Sequence, residues 1–240
     1  MNKQKLFDRF IEIMGNFAQI RAVAALRDGF IMTTPFTICG SIFLLIANLP
    51  IPGYGDFMAS IFGSDWTASL NAVAGGTFNV LALIVVLAIT YKFVANEGCD
   101  AIMAAILALS TFLILMPPTL TTANGEIVGD IIPKTWAGAN GVITAIIVAF
   151  FVSHVFCYCE KNHIGIKMPG AVPQGVARAF TALVPGMIFF TAAAVCYGIC
   201  YYVGATTVPE LIFKVIQTPL QGLSDTLAGG SIIVGLQGIL

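Results

Sequence analysis

Residues Gly29–Leu49 read GFIMTTPFTICGSIFLLIANL, twenty-one residues without a charged side chain. At a helical rise of ~1.5 Å per residue this run covers roughly 30 Å, the thickness of a bilayer's hydrocarbon core. Five bases precede it: Lys3, Lys5, Arg9, Arg21 and Arg27. The segment that follows carries two acids, Asp56 and Asp65, and no base. A membrane helix with its basic flank in the cytoplasm accounts for both features. The whole chain agrees, being 58% hydrophobic and 10% charged, where a soluble domain is about 25% charged. A net charge of −1 supplies no basic field for nucleic acid. The apolar runs are continuous rather than alternating, which argues against a β-barrel. The expected fold class is therefore an all-α polytopic membrane protein.

Working outward, residues 1–28 form a polar lead, too long for the charged region of a signal peptide. Leu6, Phe10, Ile13, Phe17 and Ile20 recur at spacings of three and four, so the lead reads as a cytoplasmic amphipathic helix. The first span, Gly29–Leu49, contains Pro35, which marks a kink. Residues 50–76 read as an outer loop with Tyr54 and Trp66 suited to the interface, and Gly75-Gly76-Thr77 as a close re-entry of the backbone. Further spans are expected at Phe78–Val94, Ala101–Leu120, Gly138–Phe156 and Ala182–Val203. Asn124-Gly125 signals a turn in the second outer loop. A stripe of Val208, Leu211, Ile212, Val215 and Ile216 predicts an interfacial helix started by Pro209. Residues 227–240 are apolar but too short to span, a partial sixth helix, so the chain is expected to continue in a longer protein.

The expectation is thus five transmembrane helices plus a partial sixth. Residues 29–203 make the membrane domain, and 204–226 an interfacial helix and connector. With the N-terminus inside, nine of the eleven Lys and Arg lie on inner segments, leaving Lys134 and Lys214 outside.

Candidate chemistry is sparse. Intramembrane charges mark function because they are costly to insert, and none lies at mid-span. His154 is the nearest titratable group, without an acid at helical spacing upstream to complete a proton relay. The six cysteines lack a matching His/Cys partner pair and read as packing residues, so no metal and no cofactor are expected. The inner segment 157–181 is different. Its stretch Met168, Pro169, Gly170, Pro173 and on to Arg178 predicts a shaped, non-helical gate or, equally, a plain connector.

Arg27-Asp28-Gly29-Phe30-Ile31, with Pro35 and Gly40-Ser41, resembles the opening span of the lactose/cellobiose/N,N'-diacetylchitobiose permeases. These are the enzyme IIC subunits of the phosphoenolpyruvate-dependent sugar phosphotransferase system (PTS). Gly75-Gly76-Thr77-Phe78, Met168–Pro173 with Arg178, and Pro219-Leu-Gln-Gly-Leu-Ser-Asp225 match the same pattern in the same order. The resemblance implies a homodimer in the bacterial cytoplasmic (inner) membrane, with the first spans as its dimer-building part. It implies a β-linked disaccharide substrate, phosphorylated by a IIB partner that IIA, HPr and enzyme I supply upstream. The transporter's own His and Glu near the sugar are expected beyond Leu240, so no catalytic residue is assigned, and the chain alone is not expected to be active as an enzyme. Gly75, Gly76 and Thr77 are expected to bring backbone near the sugar, and Met168, Pro169, Gly170, Pro173 and Arg178 to shape the inner exit. Two alternatives stay open: an ion-coupled secondary sugar transporter, and a truncated membrane scaffold that transports nothing.

Overall fold

A computed structural model describes residues 21–121, 126–129, 131–166, 172–204 and 207–217. The first twenty residues of the lead, the Asn124-Gly125 turn, Met168, Pro169, Gly170 and the partial sixth span lie outside the described residues.

The described chain is a helical bundle. Helix α1 (Arg21–Ala47) is followed by a short α2 (Tyr54–Phe62) and by α3 (Thr67–Thr77). A 3-10 turn, Phe78–Val80, joins α3 to α4 (Leu81–Asn96), and α5 (Ala101–Ile114) follows. A small antiparallel hairpin pairs β1 (Thr119–Thr121) with β2 (Ile127–Gly129), Leu120 opposite Val128. Then come α6 (Lys134–Ala137), α7 (Val142–Lys161), α8 (Gln174–Ile199) and α9 (Val208–Ile212). Among the described residues, four helical runs are long and apolar enough to cross a membrane: Arg21–Ala47, Thr67–Asn96, Ala139–Lys161 and Gly175–Val203. The protein is a multi-pass membrane protein.

Several boundaries differ from the sequence expectation. Residues 67–77 are helical rather than an outer loop, so Gly75, Gly76 and Thr77 sit inside a helix. The reason is tertiary. Gly75 is buried beside Lys134, and the helix containing it packs along α1, so tertiary contacts override glycine's low propensity. The third expected span stops at Ile114 instead of Leu120, because Pro117 and Pro118 withhold donors and the chain turns into β1. At 14 residues, α5 is about 21 Å long and shorter than a full crossing. Pro185 and Gly186 lie in the interior of α8, which already starts at Gln174, rather than in a first turn.

Small residues set the packing. On α1, Ala25, Gly29, Thr33 and Gly40 are its buried positions. A Cβ on Gly29 would stand 2.9 Å from the Cα of Ile89, and one on Gly40 would stand 3.0 Å from the Cβ of Thr77. With little hydrophobic drive between helices in lipid, such close backbone approach and the dispersion it brings hold the pair together. α4 is the central helix, packed against α1, α5 and α7. Its Ala82, Val85, Val86 and Ile89 join Ala104, Ala108 and Phe112 of α5, Ala145, Ala149 and Val152 of α7, and Phe189 of α8 in one core.

Candidate functional site at the charged end of the bundle

Helix direction brings five helix ends together. α1 runs antiparallel to α3 and α4, with Gly40 against Thr77, Gly29 against Ile89, and Arg21 paired with Glu97. α1 therefore begins where α4 ends. α5 starts there too, α7 finishes there, and α8 enters there.

Glu97, in the turn after α4, joins three elements. Its Oε1 accepts from the Arg21 guanidinium of α1 at 2.7 Å, and its Oε2 accepts from the Lys161 ammonium of α7. The Glu97 side chain is only 12% exposed, while those of Arg21 and Lys161 are 80% and 51% exposed. The Lys161 hydrogen bond, with the charges of Arg21 and Lys161, holds the Glu97 carboxyl below its ordinary range, against the opposing effect of burial. Three residues on, Asp100 caps α5: its Oδ1 accepts from Met103 N at 3.3 Å. The Asp100 N–H donates to Glu160 Oε2 at 2.9 Å, and Arg178 Nε lies 3.8 Å from Asp100 Oδ2. The Cys99 thiol donates to the Glu97 carbonyl at 3.8 Å, and burial pushes it up.

Beside these groups a cavity of about 800 Å³ opens, lined by Tyr91, Cys99, Asp100, Glu160, Arg178 and Thr181 among others. It combines two carboxylates, one guanidinium and hydroxyls, a set suited to a hydrated polar ligand or a polar chain segment. The gate residues meet it in part. Pro173 is the N-cap residue of α8, and Arg178 is helical rather than part of a loop. Once Pro173 has set the start of α8, Gln174 to Arg178 continue as its first turns, which brings the guanidinium over the α5 cap.

The structure separates the two sets of expected site residues. Thr77 and Asn96 are nineteen residues apart along α3 and α4, so Gly75–Thr77 stand about 28 Å from the charged end. The Thr77 hydroxyl donates to Val73 O at 3.0 Å. A Cβ on Gly75 would stand 3.4 Å from Lys134 Nζ, while Gly76 has open space around it. Sequence reading missed the Glu97 bridge and the Asp100–Glu160 contact. The available signal was a five-residue turn carrying two acids, which became readable only when helix ends 60 or more residues apart met it.

Glu97→Gln is expected to lower Tm by a few degrees at pH 7, because the paired cations stay largely in water and solvent screens them. A folded-state carboxyl held low adds stability above the ordinary carboxylate range, and loses it as pH falls through the folded value. The Tm gap between the parent protein and the variant should therefore hold down to the ordinary carboxylate range and narrow below it; thermal unfolding in detergent from pH 7 to about pH 3 measures it.

Residues 27–240 match the family described as phosphotransferase system, EIIC. The chain is 36% identical to the lichenan permease IIC component of Bacillus subtilis (strain 168), over 97% of this chain and 53% of that protein. It is 32% identical to the cellobiose-specific EIIC component of Geobacillus stearothermophilus, over 98% of this chain and 53% of that one. The crystal structure of the transporter ChbC, the IIC component of the N,N'-diacetylchitobiose-specific phosphotransferase system, superposes with a TM-score of 0.87 at 36% identity, covering 92% of this chain and 52% of that one. The chain spans about half the length of these relatives. It shares their fold in sequence order, and it belongs to the EIIC family of the phosphotransferase system.

Proposed function

We propose that this chain supplies the N-terminal, dimer-building half of a permease that moves a β-linked disaccharide inward while a phosphorylated IIB partner transfers its phosphoryl group to the sugar. The observation that carries this reading is the match of residues 27–240 to the EIIC family. Relatives named for lichenan and cellobiose, and a fold neighbour named for diacetylchitobiose, support the sugar class. Phosphoryl chemistry belongs to the partner and to the half of such permeases that this chain does not cover. The work of this half is to hold the helices that position substrate.

The reading includes five spans and a partial sixth, with α5 as the shortest crossing and residues 227–240 opening the sugar-binding half. It places the N-terminus in the cytoplasm. Gathering of Arg21, Lys161 and Arg178 at one end, with Lys134 and Lys214 on the segments assigned outside, supports that orientation. The segment from Met168 to Arg178 would then shape the inner exit, and its Arg178 lines the 800 Å³ cavity.

Cells carrying the full-length gene are expected to accumulate cellobiose or diacetylchitobiose as sugar phosphate only when IIB is present. Free sugar that accumulates without IIB and collapses with the proton gradient would overturn the reading in favour of an ion-coupled transporter. Gly75, Gly76 and Thr77 are proposed to place backbone near the sugar. Gly76→Ala tests this cleanly, since its added methyl meets nothing within 4 Å. KM for the disaccharide should rise several-fold with unchanged protein level; an unchanged KM removes these residues from the sugar path.

A further inference from the structure

Helix α2 leaves most of its apolar face uncovered. At about 100° per residue, Phe57, Ile61, Tyr54, Met58 and Phe62 share one side of the helix and Asp56 and Ser60 the other. Yet none of its residues is buried, and Phe57, Ile61 and Phe62 are 62%, 56% and 67% exposed. An amphipathic helix that withholds its apolar side from its own core needs another apolar phase.

Its position supplies one. α1 begins at the charged end and is 27 residues long, about 40 Å. A hydrocarbon core is only about 30 Å thick, so the last turn of α1 emerges at the opposite headgroup layer. The Tyr54 hydroxyl donates to the Ile46 carbonyl in that last turn at 3.0 Å. The Tyr54 ring meets Trp66 edge-on with centroids 5.6 Å apart. Gly53 (φ 79°) and Gly63 (φ 89°) turn the chain at the two ends of α2. α2 is therefore tethered at interface depth, beside the two side-chain types that settle there.

We propose that α2 is an interfacial anchor: Phe57, Ile61 and Phe62 insert among the acyl chains of the adjoining lipid leaflet, Asp56 and Ser60 face the headgroups, and the Tyr54 tether transmits that depth to α1. A second protein copy fits the face less well. One face of nine residues, on a helix about 13 Å long, is by itself too small to bury the roughly 800 Å² per partner of a stable interface.

Photoreactive p-benzoylphenylalanine, placed singly at Phe57, Phe62 and Ser60 of the full-length protein, tests the proposal in vesicles of phosphatidylethanolamine and phosphatidylglycerol. All three positions are exposed, so the fold is retained. Illumination should add the mass of one phospholipid several-fold more often at positions 57 and 62 than at position 60. Equal lipid adducts at the three positions, cross-links to a second chain or to the rest of the same chain, or no adduct at all would each overturn it. Transport is not read in this experiment, so its failure is separable from failure of the permease reading.

Discussion

Gly141→Ala is expected to lower the yield of folded protein sharply. Gly141 ends the 3-10 turn that starts α7, and its φ and ψ of −87° and −5° are open to any residue. The obstacle is contact. A Cβ here would fall on the Trp136 carbonyl, far inside van der Waals contact of its oxygen and 2.9 Å from its carbon, and would press on the Ala82 Cβ at 3.3 Å. Backbone cannot rotate away as a side chain can. The turn between α6 and α7 must open, pulling Trp136 from Phe213, whose ring it meets edge-on at 5.7 Å. Overpacking of this kind costs on the order of 3 kcal/mol, a large share of the ~5–15 kcal/mol that separates folded from unfolded chains. The yield of monodisperse protein extracted from membranes, beside that of Gly76→Ala, measures it. Normal yield from Gly141→Ala would mean that the α6–α7 turn is looser than its contacts require.

Gly29→Ala is the second large effect. It lies mid-stripe between Ala25 and Thr33 on the face of α1 that meets α4. The added methyl would stand 2.9 Å from Ile89 Cα and 3.0 Å from Ile89 N. These are backbone atoms of a fully buried residue, so α1 must move outward and surrender contacts along its length. A loss of about 1–3 kcal/mol is expected, read as a fall in Tm in detergent. Ile89→Ala should relieve only the contact with Ile89 Cγ1, at 2.6 Å, and leave the main-chain clash, so Tm should not return to the parent value. Gly76→Ala sets the contrast: it meets nothing and gains helix propensity, so its Tm should hold or rise slightly.

Most of the membrane architecture was legible from the sequence because it follows from one local rule. A run without charge, long enough to cross a bilayer, has no other stable place to be. Gly29–Leu49, the segment into α4, the run ending near Lys161 and that ending near Val203 all obeyed it. The errors fell where local signals conflict with neighbours. Gly75-Gly76 looked like a break, and packing made it part of a helix that lies along α1, with Gly40 of α1 against Thr77. Arg178 looked like part of a loop, and it is carried by the first turns of α8.

The candidate site was the least legible part, for a related reason. Glu97 can be seen in the sequence as an acid in a turn, but nothing local tells that Arg21 and Lys161 converge on it from 76 and 64 residues away. Asp100 can be recognised as a helix cap, but not as the group that faces Glu160 and Arg178. Composition, span length and the placement of bases follow from residue-by-residue transfer between water and lipid, which each segment settles alone. The register of α1 on α4, the meeting of five helix ends and the cavity between them come from close packing of small residues, and only the assembled helices decide which glycines and charges face one another.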